Sequence, residues 1–432
     1  MYRIAIKELI KWKISKKKKP LILLGARQVG KTWLIQEFGK KEYRQMVYVN
    51  FEDKDAPRDI FKMDYNIDRI ISLLNAYAGL RITSEDTLIV FDEIQSAPEG
   101  ITTLKYFHEK APQYQIVAAG SLLGINIHPG ESFPVGKVDF LTLHPLNFTE
   151  FLLAIGETGL VELISKRDWE LVSAFHSKLV NYLRYYFYIG GMPEAVLSFS
   201  LNKDWNEVRQ IQKNILKSYE KDFSKHTSRE ILPRINMVWN SIPSQLAKEN
   251  KKFIYGVIKE GSRAKDFETA IQWLVDSGIL HKIFSVTKPA LPLVAYQDIS
   301  AFKLYHNDIG LLGAMSKLGA KTLLHGNDIF TEFKGALSEQ FVFQQLKQNE
   351  DLSIHYFPFD NSKYEVDFVI QNKEDEIIPI EVKSGENLRA KSFKFFCEKF
   401  QPQKAVRTSL SNYHNESWMT NVPLYLIGEY FT

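Results

Sequence analysis

The chain has 432 residues, more than one ordinary domain holds, so two to four domains are expected. Its hydrophobic content of 45% and charged content of 25% are those of a globular protein, and no stretch approaches the roughly 18 apolar residues that cross a bilayer. A net charge of +4 tolerates a polyanionic partner without demanding one, and a single cysteine, Cys397, excludes an intramolecular disulfide framework. We therefore expect a cytoplasmic protein with no membrane segment.

The first third of the chain alternates short apolar runs with stretches that can hold helices. Because these runs are nearly continuous, they predict strands buried on both faces of a parallel sheet. Helices between such strands give βαβ units and an α/β fold. The predicted strands are 21–24, 46–50, 88–91, 116–119 and 138–143.

The first predicted strand leads into a segment that matches G-x-x-x-x-G-K-[ST] in full, and a helix is predicted directly after it, over 32–38. The glycines let successive backbone N–H groups point at phosphate, and the helix N-terminus adds its dipole. We expect Lys31 to reach the β- and γ-phosphates of ATP, and Thr32 to ligate Mg²⁺. The predicted nucleotide-binding residues of the loop are Gly25, Ala26, Arg27, Gln28, Val29, Gly30, Lys31 and Thr32.

The strand 88–91 ends in two acids, which is typical of a Walker B motif. Asp92 is expected to hold Mg²⁺ through water, and Glu93 to orient or deprotonate the attacking water. The next strand ends at Gly120-Ser121. Ser121 is therefore either a sensor of the γ-phosphate or part of a plain turn.

The middle of the chain is predicted to be helical. Helices over 148–164, 174–188 and 205–223 indicate a helical lid, 148–220, on a nucleotide-binding core, 1–147. In 221–299, an amphipathic helix is followed by Gly278 and a strand over 279–283, which suggests a winged-helix-like unit. Arg263 and Lys265 open that helix, where DNA contacts would be made, although such units also serve in protein packing.

The last predicted domain, 300–432, carries a second group of reactive side chains. Asp367 lies on a predicted strand, 365–370, and Glu381 and Lys383 are two residues apart on or beside another, 377–382. Side chains two apart project from the same face of a strand, and antiparallel pairing would bring Asp367 beside Glu381.

Two such carboxylates can hold divalent metal ions, and Lys383 can then activate a hydroxide. Glu339, on a helix predicted over 337–348, would add a third carboxylate. The pattern D-x(n)-E-x-K predicts a fold like that of PD-(D/E)xK nucleases, with Asp367 and Glu381 as metal ligands. The alternative is a set of ion pairs at the edges of strands, with no cleavage.

These motifs together resemble those of prokaryotic AAA-type ATPases that carry a C-terminal domain of unknown function. The resemblance covers nearly the whole chain, and its segments are 25–32, 91–95, 120–121, 143–148, 190–195 and 380–384. It implies an AAA core, a winged helix and then a restriction-endonuclease-like domain, and it implies that the chain binds ATP. One departure is Gly136-Lys137, where Gly-Arg is expected. If that arginine is a trans-acting finger in relatives, hydrolysis here is expected to be slow or to depend on a partner, because lysine lacks the planar fork of arginine.

Two functions remain open at this point. In the first, an ATPase acts on DNA through its winged-helix and nuclease-like segments, which predicts DNA-stimulated turnover. In the second, a nucleotide-dependent switch binds a protein partner without cleaving DNA. Assembly into homo-oligomers fits either function, and neither Arg184 nor Lys137 can be assigned as an arginine finger in place of a surface charge.

Overall fold

The computed structural model describes residues 1–61, 65–120, 134–248, 251–325, 331–359, 364–385 and 391–432. The chain divides into two compact units. The N-terminal unit holds residues 2–144 and the short segment 276–278. The C-terminal unit holds residue 1, 145–275 and 279–432. None of the described helices is both long and apolar enough to span a bilayer.

A parallel sheet forms the centre of the N-terminal unit. Among the described residues its strand order is β2-β3-β4-β1-β5, and every pairing is parallel. β3 and β4 are buried along their whole length, as expected for strands covered on both faces. All five predicted strands are confirmed, with ends shifted by one residue at most. They are β1 (Leu21–Leu24), β2 (Gln45–Asn50), β3 (Thr87–Asp92), β4 (Gln115–Ala119) and β5 (Asp139–Thr142).

Helices and a phenylalanine-rich core surround this sheet. The helix after the phosphate loop begins at Lys31 and ends at Glu42, so it is longer than the predicted 32–38, and its buried face includes Phe38 and Gly39. Phe51, Phe61 and Phe91 pack as a cluster, with ring centroids 5.4–5.8 Å apart. The described helices of this unit are α1 (Ile6–Ile14), α2 (Lys31–Glu42), α3 (Ile67–Ala78) and α4 (Pro98–Lys110).

The C-terminal unit begins with helices. The single helix predicted over 148–164 is two helices, since Gly156 adopts φ +92°, outside helical geometry. The helix predicted over 174–188 is preceded by a separate short one. These elements are α5 (Phe148–Ala154), α6 (Thr158–Ser165), α7 (Trp169–Ser173), α8 (His176–Ile189), α9 (Pro193–Asn202) and α10 (Trp205–His226).

These helices pack on a later helix, α16 (Thr331–Leu346). The backbone N–H of Phe148 donates to Oε1 of Gln345 (2.9 Å), and the amide of Gln344 donates to the hydroxyl of Tyr186 (2.9 Å). The segments predicted as a lid, a winged-helix-like unit and a nuclease-like domain therefore lie in one compact unit. Its boundary, at 144/145, is three residues from the predicted one at 147/148.

A mixed sheet forms the rest of the C-terminal unit, with the order β12-β13-β11-β10-β9-β8-β6-β7 among the described residues. β6 and β7 pair as an antiparallel hairpin, which joins the other strands through Ser285 and Tyr356. Its strands are β6 (Leu280–Val286), β7 (Gln297–His306), β8 (Ser353–Pro358), β9 (Glu365–Gln371), β10 (Ile377–Val382), β11 (Val406–Ser409), β12 (His414–Asn415) and β13 (Thr420–Pro423).

Two predictions in this unit need correction. The boundary at 299/300 falls inside β7, because the proline-containing stretch before it connects the strands of a hairpin and does not separate domains. The apolar run 424–427 predicts a further strand, but the structure has a 3₁₀ turn, Leu424–Leu426, followed by a helix, since Pro423 ends β13 just before it. The remaining described helices are α11 (Leu232–Leu246), α12 (Tyr255–Ile258), α13 (Ala264–Asp276), α14 (Ile309–Met315), α15 (Ala320–His325), α17 (Lys391–Phe400) and α18 (Ile427–Tyr430).

Candidate functional site

The loop between β1 and α2 has the backbone of an anion cradle. Gly25 adopts φ +148°, Gln28 φ +66° and Gly30 φ +93°. A Cβ atom at Gly25 would lie 2.4 Å from the carbonyl oxygen of Leu143, so only glycine fits there. The helix that follows begins at Lys31, which places its free N–H groups at the end of the loop.

Lys31 is buried inside this loop. Its ammonium group donates to the carbonyl oxygens of Gly25 (2.8 Å) and Ala26 (2.9 Å). Burial lowers the pKa of Lys31 to about 8, against the opposing effect of Glu93 and Asp92. The lysine is thus held inside the loop by two backbone carbonyls. Asp92, at the end of β3, and Glu93, just after it, are close enough to affect its pKa.

The side chains of Thr32, at the start of α2, and Asp92, at the end of β3, are in direct contact. The Thr32 hydroxyl donates to Oδ2 of Asp92 at 2.7 Å, and the Tyr48 hydroxyl donates to the same oxygen at 2.6 Å. A hydroxyl and a carboxylate held in this way are ligands of the type that Mg²⁺ prefers. The pair therefore fits the predicted Mg²⁺ site. Tyr48, on β2, is a contact that the motifs did not reveal.

Glu93 follows in an uncommon backbone conformation. It adopts φ +50° and ψ +45°, which is the left-handed region and is costly for a residue with a side chain. Its N–H donates to Oδ1 of Asp92 (3.0 Å), and its carboxylate accepts from the amide of Gln95. Backbone strain of this kind tends to accumulate at functional sites.

The other predicted phosphate-sensing groups are less informative. Ser121 lies outside the described residues, although β4 does pair with β3 as expected. Lys137 forms an ion pair with Glu109 at 3.1 Å, with both side chains partly exposed. Arg184 is an exposed residue of α8 whose guanidinium donates to Asn181. The surface-charge interpretation thus fits Lys137 and Arg184.

Arg3 anchors the loop from the N-terminal segment. Its guanidinium donates to the carbonyl oxygens of Val29 (2.8 Å) and His144 (2.5 Å), and its side chain is 3% exposed. The contact ties the loop to the segment after β5. Sequence analysis missed it, because a lone arginine near the start of a chain carries no motif.

Replacing Arg3 by alanine is expected to lower the free energy of unfolding of the N-terminal unit by about 2 kcal/mol, since hydrogen bonds from a charged donor to buried carbonyls are lost. Nucleotide affinity should fall with it, because the Val29 carbonyl loses its anchor. Calorimetry and titration with a fluorescent ATP analogue measure the two effects. Lys11→Ala, at an exposed ion pair with Glu8, is the control and should change neither. Unchanged stability and affinity in Arg3→Ala would contradict the anchoring role.

Comparison with family models adds an independent observation. Residues 17–152 match the model described as an AAA domain. Residues 17–152 are an AAA-type P-loop ATPase domain. Residues 180–322 and 334–427 match two domains of unknown function, DUF8612 and DUF4143. No match was found among curated proteins.

Solved structures with a similar course of chain include nucleotide-binding proteins. The Walker-type ATPase of Pyrococcus abyssi is 14% identical, with a TM-score of 0.45 over 72% of this chain and 95% of that one. The ORC1 protein of Aeropyrum pernix in complex with DNA is 12% identical, with a TM-score of 0.30 over 74% and 93% of the two chains. AMPPCP-bound DnaA of Aquifex aeolicus is 13% identical, with a TM-score of 0.26 over 63% and 86%. At such low TM-scores these likenesses carry no argument about function.

Away from the AAA domain, the C-terminal unit assembles the second predicted group. β9 and β10 pair antiparallel in the register that sets Asp367 opposite Glu381, and Oδ2 of Asp367 accepts from the backbone N–H of Val382 (2.7 Å). The carboxylates that converge within 4.8 Å are those of Glu339, Glu365 and Asp367. Glu365 was not predicted, and it, rather than Glu381, completes this group of three.

Lysines surround these carboxylates. Lys303, fully buried on β7, donates to Glu365 at 2.6 Å and lies 3.6 Å from Glu339. Lys251 forms a hydrogen-bonded ion pair with the other oxygen of Glu339. Lys383 donates to Oε1 of Glu381 at 2.5 Å. We call these groups the carboxylate–lysine centre: Lys251, Lys303, Glu339, Glu365, Asp367, Glu381 and Lys383.

The pKa values within the centre follow this arrangement. Burial, together with the charges of Glu339 and Glu381, raises the pKa of Asp367 well above its usual range. Burial acts the same way on Glu339, but the charges of Lys251 and Lys303 outweigh it and lower its pKa. Burial also raises the pKa of Glu381, although the charge of Lys383 opposes the rise. Burial and opposite charge therefore compete at each of these carboxylates, and the lysines prevail at Glu339.

Proposed function

We propose that this protein is a Mg²⁺-dependent ATPase that hydrolyses ATP at the loop Gly25–Thr32. The observation that carries the proposal is the 2.7 Å hydrogen bond between Thr32 and Asp92, which joins the loop to the acidic end of β3. It sets a hydroxyl and a carboxylate together beside the backbone cradle. The full match to the loop motif and the following Glu93 support hydrolysis over binding alone.

Each residue has a definite task in this proposal. The loop N–H groups and the Lys31 ammonium bind the phosphate oxygens, and Thr32 and Asp92 hold Mg²⁺. Bound Mg²⁺ would supply neutralisation of the phosphate charge. Glu93 lies one residue beyond Asp92, and its carboxylate accepts a proton from water and orients it for attack.

The test is ATP hydrolysis by the full chain with Mg²⁺, with excess EDTA and with Lys31→Ala as the blank. Hydrolysis that needs both Mg²⁺ and Lys31 supports the proposal. A chain that binds ATP but never turns it over, under any of these conditions, would show a binding switch and not an ATPase.

DNA is the proposed partner of the C-terminal unit. Helices α11, α12 and α13 are followed by the hairpin β6–β7, which is the element order of a winged helix. Arg263 and Lys265 lie exposed at the start of α13, while Phe267, Ile271 and Leu274 bury its opposite face. That leaves two cations available for backbone phosphates.

The double substitution Arg263→Ala, Lys265→Ala is expected to weaken binding of labelled duplex DNA and to flatten its salt dependence by about 1 in slope per lost phosphate contact. Fluorescence anisotropy over a salt series measures both. Lys394→Ala with Lys399→Ala, on exposed positions of α17, removes the same charge elsewhere and should leave the slope closer to the parent value. Equal effects of the two pairs would point to net charge alone.

The second candidate function is a regulatory switch with a protein partner. The carboxylate–lysine centre favours it over cleavage of DNA, because three of its four carboxylates, those of Glu339, Glu365 and Glu381, are already paired with lysines. ATP turnover with and without duplex and single-stranded DNA separates the two. Stimulation of several-fold supports action on DNA, whereas slow turnover indifferent to DNA supports the switch.

A further inference from the structure

The carboxylate–lysine centre is assembled from strands of the mixed sheet, from helix α16 and from the segment before α12. β7 brings Lys303, α16 brings Glu339, and β9 brings Glu365 and Asp367, while Lys251 comes from the segment before α12. A group of carboxylates this close would repel itself strongly without positive charge. What supplies that charge determines what the centre can do.

Lys303 directs its positive charge at the converging carboxylates. Its ammonium lies 2.6 Å from Glu365 and 3.6 Å from Glu339, which are two of the three converging carboxylates. Its side chain is wholly buried, and it also lies over the ring of Tyr356 at 4.8 Å. Because this side chain is fully buried, an ion could bind in its place only if the lysine moved out of the core.

The charges of the centre are nearly balanced without a metal. With every group ionised, four carboxylates and three ammonium groups leave a single negative charge, and a divalent ion would reverse its sign. Protonation of Asp367, whose pKa is raised well above its usual range, would remove that negative charge as well. Without Lys251 and Lys303, the same carboxylates facing Lys383 alone would leave three negative charges, which is the usual setting for a divalent ion. Oε2 of Glu365 and Oε2 of Glu381 have no hydrogen-bond partner among the residues that the structure describes, so they would be available to an ion once the lysines were removed.

We propose that the ammonium groups of Lys251 and Lys303 take the place of a divalent cation, so that this centre stays closed without metal and does not cut phosphodiester bonds. Of the predicted metal ligands, Asp367 then accepts a hydrogen bond from backbone, and Glu381 accepts one from Lys383. This closed centre is a property of the C-terminal unit, so it stands independently of ATP turnover.

The experiment measures Mn²⁺ uptake by the nucleotide-free full-length protein, from the electron paramagnetic resonance signal of free Mn²⁺. At free Mn²⁺ up to about 1 mM, the parent chain and Glu339→Gln are expected to take up the same amount of Mn²⁺, because the centre of the parent binds none. Lys303→Met and the double variant with Lys251→Met should each gain one ion per chain, and Glu339→Gln should remove it again. Mn²⁺ should also raise the Tm of these variants but not of the parent, because an ion that binds only the folded state stabilises it.

Lys282→Met is the matched control. Lys282 lies on the neighbouring strand β6 over the ring of Phe302, without an ion pair among the described residues, and its loss should create no uptake. Uptake of one ion by the parent chain, lost in Glu339→Gln, would overturn the proposal, as would Asp367-dependent cleavage of plasmid DNA with Mn²⁺. Folded lysine variants that take up no ion would overturn it too. If they do not fold, the comparison of the parent with Glu339→Gln still decides.

Discussion

Replacing Glu93 by glutamine is expected to reduce ATP hydrolysis about 100-fold or more while leaving ATP bound, because glutamine keeps the size of the side chain but cannot accept a proton from water. The substitution removes none of the hydrogen bonds of Lys31, Thr32 and Asp92, the groups proposed to hold the nucleotide. Single-turnover hydrolysis gives the first quantity, and titration with a fluorescent ATP analogue gives the second.

Two comparisons make this result specific to the carboxylate. Lys31→Ala should lose binding as well as hydrolysis, since it removes a phosphate contact. Glu99→Gln, an acid in the first turn of α4, should change neither. Hydrolysis at the parent rate by Glu93→Gln would remove Glu93 from the mechanism. A parallel loss of binding would assign it to nucleotide binding and not to the chemical step.

The AAA domain was predictable because its chemistry is local. The loop, its helix and the two acids each occupy a short segment, and continuous apolar runs mark the strands between them. The contact of Thr32 with Asp92 spans 60 residues, yet both positions carry motifs. Tyr48 and Arg3 bind the same site with side chains that carry none, so only the folded chain shows their roles.

The carboxylate–lysine centre was predictable only in part. The antiparallel register of β9 and β10 followed from alternation along two adjacent strands, which put Asp367 opposite Glu381. Lys251 comes from the segment assigned to the winged-helix-like unit. Lys303 lies near the start of the last predicted domain, where a lysine in an apolar strand gives no signal of a buried partner. The expectation of metal binding rested on the carboxylates and Lys383 alone. The charges of Lys251 and Lys303, which the sequence did not place here, change the charge balance of the centre.

Replacing Lys303 by methionine is expected to destabilise the C-terminal unit by about 3 to 5 kcal/mol, because it leaves the carboxylates of Glu365 and Glu339 buried with less compensating charge. Methionine matches lysine in length, so the loss reports charge more than volume. Denaturant unfolding followed by tryptophan fluorescence measures it, since Trp169, Trp205, Trp239, Trp273 and Trp418 all lie in this unit.

A second substitution separates charge from packing. Adding Glu365→Gln to Lys303→Met removes the carboxylate that the lysine neutralises, so the double variant should recover part of the lost stability, and the coupling energy follows from the double-mutant cycle. Lys282→Met, which loses a ring contact but no ion pair, should cost about 1 kcal/mol or less. If Lys303→Met costs no more than this control, Lys303 neutralises nothing and the acids must be protonated. If the cost is large and Glu365→Gln relieves it, Lys303 is the internal counter-cation of the centre, whatever the partner of the C-terminal unit proves to be.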